Sequence, residues 1–248
     1  MIEQNKIVVV MPAYNASTTL KKTFEEIPFK IVDEVILVDD ASRDNTVSIA
    51  KALLVQHVIT HSENKGYGAN QKTCYKKALE QKADIIVMLH PDYQYTPLLI
   101  EAMVYPIVRG VYDVMLGVRT LGRGPLAGGM PLYKFLGNRF LTWFQNLMLN
   151  RRLAEYHTGY RAYRREVLEK INFEQNSDDF IFDNQMLSQI IYAGFEIGEI
   201  SCPAKYFKEA SKIKFKKGLY YGFGVMKVSL RHRLHKWNIK KTRILEGL

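Results

Sequence analysis

Within five residues, His90, Asp92 and Gln94 bring an imidazole, a carboxylate and an amide to the end of an apolar run, Ile85-Ile86-Val87-Met88-Leu89. Nitrogen and oxygen donors this close suit a divalent cation that holds a diphosphate. The run reads as a buried strand, and the carboxyl ends of strands in an open α/β sheet are where ligands sit. By itself the segment reads equally as a polar turn in which Asp92 caps the helix that Pro97 opens.

Three more polar clusters follow the same rule. Pro12-Ala13-Tyr14-Asn15 ends the run Ile7–Met11, and Asp39-Asp40-Ala41-Ser42 ends Val35–Val38. Asn64-Lys65-Gly66-Tyr67-Gly68 comes after the weaker strand His57–Thr60. Singly each is turn chemistry, with Asp44 or Asn45 as a cap and Gly66 and Gly68 as backbone relief. Each also lies after a strand and before a helix, which sets all four on one edge of a sheet as the rim of a ligand crevice.

The elements that must position them alternate. A fifth strand is expected at Asp113–Val118, and helices at Ser17–Glu26, Asn45–Leu54, Gly66–Gln81 and Thr96–Arg109. This is the pattern of βαβ units in a Rossmann-like, mostly parallel sheet flanked by helices. No G-x-G-x-x-G follows the first strand and no P-loop motif occurs, which disfavours dinucleotide and P-loop folds. Beyond a Gly- and Pro-rich loop, Leu132–Leu149 reads as an amphipathic helix. Leu132, Leu136, Phe140, Trp143, Phe144 and Leu147 fall on one side, and Lys134, Asn138, Arg139, Gln145 and Asn146 towards the other. The apolar side is expected to pack on the core. The alternative, contact with lipid, is kept open by Trp143, Arg151 and Arg152.

The chain has 248 residues, 47% of them hydrophobic and 24% charged, the balance of a soluble globular protein. Cys74 and Cys202, far apart and without ligand-spaced histidines, argue for a reducing compartment and against a disulfide framework or a zinc site. The polar start, Met1 to Lys6, runs directly into a strand, so no leader is expected. Of 35 Lys and Arg, 13 fall between Lys205 and Leu248, against only Glu209 and Glu246 of the 25 acids. The excess that makes the net charge +10 therefore sits in the tail. Such a segment suits an anionic membrane surface or phosphorylated substrates. Nucleic acid is not expected, because no nucleic-acid-binding motif accompanies the charge.

V-V-V-M-P-A-Y-N, the D-D-A-S-x-D-x-T after strand two, the N-K-G-Y-G-A-N loop and the acidic strand end at Asp92 together resemble the family 2 glycosyltransferases of GT-A fold. His157-Thr158-Gly159-Tyr160-Arg161 and Glu209-Ala210-Ser211-Lys212 are similar to segments of the dolichyl-phosphate mannosyltransferase-like branch. The resemblance spans residues 6–217, leaving 218–248 as a basic tail associated with a membrane or with further copies of the chain. It implies a UDP- or GDP-sugar donor lined by Pro12, Ala13, Tyr14, Asn15, Asp39, Asp40, Asn64, Lys65, Gly66 and Arg119. Phosphate or acceptor contacts would come from His157, Arg161, Ser211 and Lys212. A divalent metal, Mn²⁺ or Mg²⁺, would be held by Asp92 with Gln94 and His90. His90 stands where the family's first D-x-D aspartate is usual, and a neutral imidazole brings no charge to the ion.

The implied reaction is inverting transfer to a polyprenyl phosphate or other lipid-linked acceptor, at the cytoplasmic face of the cell membrane. The alternatives are transfer to a saccharide hydroxyl and non-catalytic binding of a nucleotide sugar. With Asp92 serving catalysis through the metal, a hydroxyl acceptor also needs a base, for which Glu155 and Asp183 are the candidates. A phosphate, already ionised, needs none.

Overall fold

Ile7–Ala13 (β1) is buried along its whole length, and its side chains divide by parity between two cores. Val8 and Val10 enter one apolar layer, and Ile7, Val9, Met11 and Ala13 the other. A strand apolar on both faces has to be covered on both, as in the interior of an α/β sheet. The computed structural model of the chain describes residues 2–121, 124–203 and 215–248, with the side chains of 127 and 215–217 outside that description.

Parallel to β1 run Glu34–Asp39 (β2), His57–Thr60 (β3) and Ile85–Met88 (β4). Val114–Val118 (β5), Arg161–Arg164 (β6) and Ile197–Ser201 (β7) complete a seven-stranded sheet in the order β3-β2-β1-β4-β6-β5-β7. β6 is antiparallel to both neighbours, pairing Met88 with Arg161 on one side and Leu116 with Arg161 on the other. The sheet is thus mostly parallel, as expected. The sequence reading treats Arg161-Ala162-Tyr163 only as a motif, whereas it is a central strand.

Leu20–Glu25 (α1), Thr46–Ala52 (α2) and Ile100–Val108 (α4) cover one face, contributing Leu20, Ala50, Ile100, Met103 and Val104 to its core. Tyr67–Glu80 (α3), Arg165–Lys170 (α7) and Phe182–Tyr192 (α8) cover the other through Tyr75, Ala78, Leu168, Met186 and Ile190. Helix α4 is shorter than expected, because Thr96 caps a 3₁₀ turn, Pro97–Leu99, before it. A short turn of helix, Gly124–Ala127 (α5), precedes Leu132–Leu149 (α6), which has the expected bounds.

Helix α6 corrects the expectation about which side is buried. Asn138, Thr142, Gln145 and Leu149 face inwards, whereas Leu132, Leu136, Phe140, Trp143 and Leu147 are 53–61% exposed. Asn138 and Gln145 each donate to a side-chain oxygen there, as the site below explains. The tail is not an appendage either. The expected boundary between 217 and 218 falls inside Phe215–Lys236 (α9). This helix packs against α6 and α8 and buries Val225, Ser229 and His232. His232 Nδ1 lies 2.9 Å from Ser188 Oγ of α8.

Candidate active site

The loops after β1, β2 and β3 are tied together by backbone-to-side-chain bonds. Asn15 N–H donates to Ser42 Oγ at 2.8 Å, and Arg43 N–H to Asn15 Oδ1 at 2.9 Å. Asp39 is fully buried; its carboxylate accepts the Ser42 N–H at 2.9 Å and the Ser42 hydroxyl. Asp40 accepts the N–H groups of Lys65 (2.9 Å) and Gly66 (3.0 Å) and pairs with His61 Nδ1 at 2.8 Å. Both aspartates, expected along the nucleotide, therefore hold these loops in shape. Asn64 Nδ2 is likewise bonded to the Asp40 carbonyl, at 3.2 Å. Pro12 and Ala13 are buried in β1, while Tyr14, Asn15 and Lys65 stand exposed on the rim.

Gly66 has φ +103°, and a Cβ there would lie 2.6 Å from the Asp178 carbonyl oxygen. Two residues on, Gly68 donates its N–H to the same oxygen at 2.7 Å. The loop can close on the 177–182 segment only with glycine at these places.

Helix α3 then crosses to the end of β4. Tyr67 stacks on His90, ring centroids 5.5 Å apart, with its hydroxyl 3.2 Å from His90 Nε2. That hydroxyl donates to Asp183 Oδ2 at 2.7 Å, and Gln71 Nε2 to Oδ1 at 3.2 Å. Arg161 adds a 3.7 Å ion pair and donates to the Asp183 carbonyl at 3.0 Å. Its remaining donors meet the carbonyls of Thr158 (2.8 Å) and Tyr156 (3.1 Å). Arg161 is fully buried, so the expectation that it meets phosphate is corrected: it is the pin between β6 and α8. Asp183, expected as a base or helix cap, lies inside the first turn of α8 with both carboxylate oxygens engaged.

Glu155 shows the same commitment. Arg119 donates to it from its backbone N–H (2.8 Å) and its Nε (2.9 Å), and Asn138 of α6 from Nδ2 (2.8 Å). Burial by itself would raise the pKa of Glu155, but the Arg119 charge and these hydrogen bonds outweigh it and hold the carboxyl below its ordinary range. Arg119 also donates to the His157 carbonyl at 2.8 Å.

His157 Nδ1 meets the hydroxyl of Tyr221, on α9, at 2.8 Å. Asn184 donates to the same hydroxyl at 2.7 Å and accepts from Gln145 of α6 at 2.9 Å. Burial lowers the His157 pKa to about 4, so its ring is neutral at pH 7, and its Nε2 is buried with no partner among the described residues. An orphaned polar atom of this kind marks a place for a ligand or water. Ser211 and Lys212 lie outside the described residues.

The metal expectation meets a reduced donor set. Among the described residues no group of three or more His, Cys, Asp and Glu side chains could hold an ion. His90 is turned to Tyr67, and its Nε2 would lie only 2.7 Å from a Cβ on Gly159. Asp92 is half-buried and accepts the Gln94 N–H at 3.0 Å. The Gln94 side chain lines a cavity of about 240 Å³ together with Tyr93, Thr96 and Pro203. One carboxylate with an amide beside it fits Mg²⁺ or Mn²⁺ when substrate phosphates complete the coordination, and does not make an all-protein cage.

Tyr67, Gln71, Gln145, Asn184 and Tyr221 are given no site role by the sequence expectations. The spacing of Tyr67, Gln71 and Tyr75 by four was the available signal, since Gln71 falls on the buried stripe of α3 with Cys74 and Ala78.

A mostly parallel sheet with one reversed central strand and a polar carboxyl rim is the GT-A fold. Residues 8–172 match the model of glycosyl transferase family 2, and the chain belongs to that family. It is 29% identical over 182 residues to the UDP-N-acetylglucosamine–dolichyl-phosphate N-acetylglucosaminyltransferase of Methanococcus voltae, covering 67% of this chain and 72% of that protein. It is 24% identical over 202 residues to the polyprenol monophosphomannose synthase of Mycolicibacterium smegmatis, covering 79% of this chain and 76% of that one. Glucosyl-3-phosphoglycerate synthase from Mycobacterium tuberculosis, solved with UDP, is similar with a TM-score of 0.71 at 18% identity, covering 96% of this chain and 82% of that one. A structure of the same enzyme with Mn²⁺, UDP and glucosyl-3-phosphoglycerate gives 0.67 at 17%, with the same coverage.

Proposed function

We propose that this glycosyltransferase moves a sugar from a UDP- or GDP-sugar to a polyprenyl phosphate, with inversion at the anomeric carbon. One observation carries the choice of acceptor: neither candidate base is at liberty. The Glu155 carboxylate is occupied by Arg119 and Asn138, and both carboxylate oxygens of Asp183 are engaged, by Tyr67 and Gln71, with Arg161 3.7 Å away. A sugar hydroxyl must lose a proton as it attacks, whereas a phosphate oxygen arrives already charged. The acceptor oxygen forms its bond to C1 as the C1–O bond to the diphosphate breaks, and the nucleoside diphosphate leaves with the bonding pair. The names of the two relatives that act on dolichyl phosphate or polyprenol support the same class of acceptor.

Tyr14, Asn15 and Lys65 are the rim groups positioned to meet the nucleotide and its diphosphate. Asp92 and Gln94 would hold the divalent ion, which supplies positive charge against the developing negative charge of the leaving group. His157, neutral and with its Nε2 unpartnered among the described residues, is suited to a phosphate oxygen. Buried free thiols at Cys74 and Cys202 suit the cytoplasmic side. No helix among the described residues is long and apolar enough to cross a membrane.

The test is transfer from radiolabelled UDP-N-acetylglucosamine, UDP-glucose and GDP-mannose to a polyprenyl phosphate in detergent, read as label in the organic phase with stoichiometric nucleoside diphosphate release. Label in a saccharide and none in lipid would replace the acceptor.

A further inference from the structure

The inverted helix α6 is the least expected feature of the fold. Its apolar stripe, Leu132, Leu136, Phe140, Trp143 and Leu147, faces outwards. Helix α9 packs beside it, where the side of Gly222 that lacks a side chain lies nearest Leu141. It carries a row of its own, with Leu219, Tyr220, Phe223 and Leu230 all exposed. Exposed apolar rows on two adjacent helices are a feature that marks an interaction surface.

Neither helix can roll over to hide its stripe. The opposite side of α6 is bonded into the site through Asn138 to Glu155, Gln145 to Asn184, and Asn146 Nδ2 to the Leu153 carbonyl at 2.9 Å. The opposite side of α9 carries Tyr221, on His157, and His232, on Ser188. Turning either helix would bury apolar groups at the cost of orphaning these polar ones.

The charges point to what covers the face. Helix α6 contains Lys134 and Arg139, and α9 contains Lys216, Lys217, Lys227, Arg231, Arg233 and Lys236, with no Asp or Glu on either helix. A second copy of the same face would bring like charges together, so self-association is disfavoured. An anionic lipid surface satisfies both features, because apolar side chains enter the acyl boundary while basic ones meet head groups.

We propose that the outer face of α6 and α9 is a bilayer-docking surface that lies in the plane of an anionic membrane. This rests on the polyprenyl-phosphate reading above and adds where the membrane sits. The polar side of α6 is one helix thickness, about 10 Å, from its lipid side. Docking thus brings the rim near Glu155, Arg119 and His157 to the depth of a lipid carrier's phosphate.

The experiment uses the full chain with vesicles of phosphatidylcholine alone and with phosphatidylglycerol added. Sedimentation measures binding, and Trp143 fluorescence, in a Trp237→Phe background, reports immersion. The expected result is binding to the anionic vesicles with a blue shift of Trp143. Phe140→Ser with Trp143→Ser, and separately Phe223→Ser, should weaken binding at least tenfold, while Val111→Ser, at an exposed site away from the face, leaves it unchanged. The face variants should still transfer sugar at the wild-type kcat to a short-chain, water-soluble prenyl phosphate. Unaltered vesicle binding by the face variants overturns the proposal. So does a lipid-free dimer that these variants dissociate, since a second copy would then be the occupant. Vesicle binding without transfer to either prenyl phosphate would sink the acceptor reading and leave the docking surface standing.

Discussion

At the scale of single residues, the site is built mostly from side chains that hold other protein groups. Arg161 illustrates the difference this makes. If it bound phosphate, its loss would raise KM and spare the fold. Because it is buried against Asp183 and three backbone carbonyls, Arg161→Met should destabilise the protein by about 3–5 kcal/mol, the usual consequence of leaving a buried partner charge uncompensated. Chemical denaturation measures this directly, and a stable variant with only a raised KM would refute the structural role. Gly66→Ala faces both a positive φ and a carbonyl oxygen 2.6 Å from its new Cβ. It should lose roughly 1–3 kcal/mol from the backbone conformation alone. It should also weaken nucleotide binding, read by calorimetry, because the Lys65 loop shifts with it.

At the scale of elements, α9 joins the tail to the domain, and a histidine makes that junction sensitive to pH. Burial, with Lys236 and Arg233 nearby, lowers His232 to about 4. An unfolded histidine titrates near 6.5. As pH falls, the unfolded chain takes up its proton first, so this stabilisation is complete above about pH 6.5 and is lost as the pH falls to about 4. For a group this buried the loss is roughly 3 kcal/mol. His157 acts in the same direction. Thermal unfolding followed from pH 7 to pH 4 should show a falling Tm, with a shallower fall in His232→Gln. Identical slopes in both proteins would remove the histidine from the account.

At the scale of the whole molecule, the loops after β1, β2 and β3 are tied by direct hydrogen bonds, and α3 links them to the end of β4. A nucleoside diphosphate that binds there binds only the folded chain. At a hundredfold excess over Kd it adds about 2.7 kcal/mol, which for a chain of this length raises Tm by roughly 5–10 °C. UDP or GDP should produce that shift, and Mn²⁺ should enlarge it in the native protein but not in Asp92→Asn. The same substitution should reduce kcat/KM at least a hundredfold, about 3 kcal/mol of transition-state stabilisation, with an unchanged Tm in the absence of ligand. An equal Mn²⁺ effect in both proteins would move the ion elsewhere.

Local pattern alone determined the strands before the rim, the polar clusters at their ends and the bounds of α6, because periodicity and strand-end chemistry are properties of neighbouring residues. Tertiary structure decided what neighbours in sequence cannot. Ala162 and Tyr163 are buried in an antiparallel central strand, although their segment, flanked by Arg161 and Arg164, reads as a polar motif. Asp40, Glu155, Asp183 and Arg161 have the residue types of a reactive site, and only their distant partners reveal them as its frame. Periodicity marks the two sides of α6 without saying which one meets the protein. That was settled by Glu155 and Asn184, far along the chain, whose polar groups needed Asn138 and Gln145 more than the core needed Trp143.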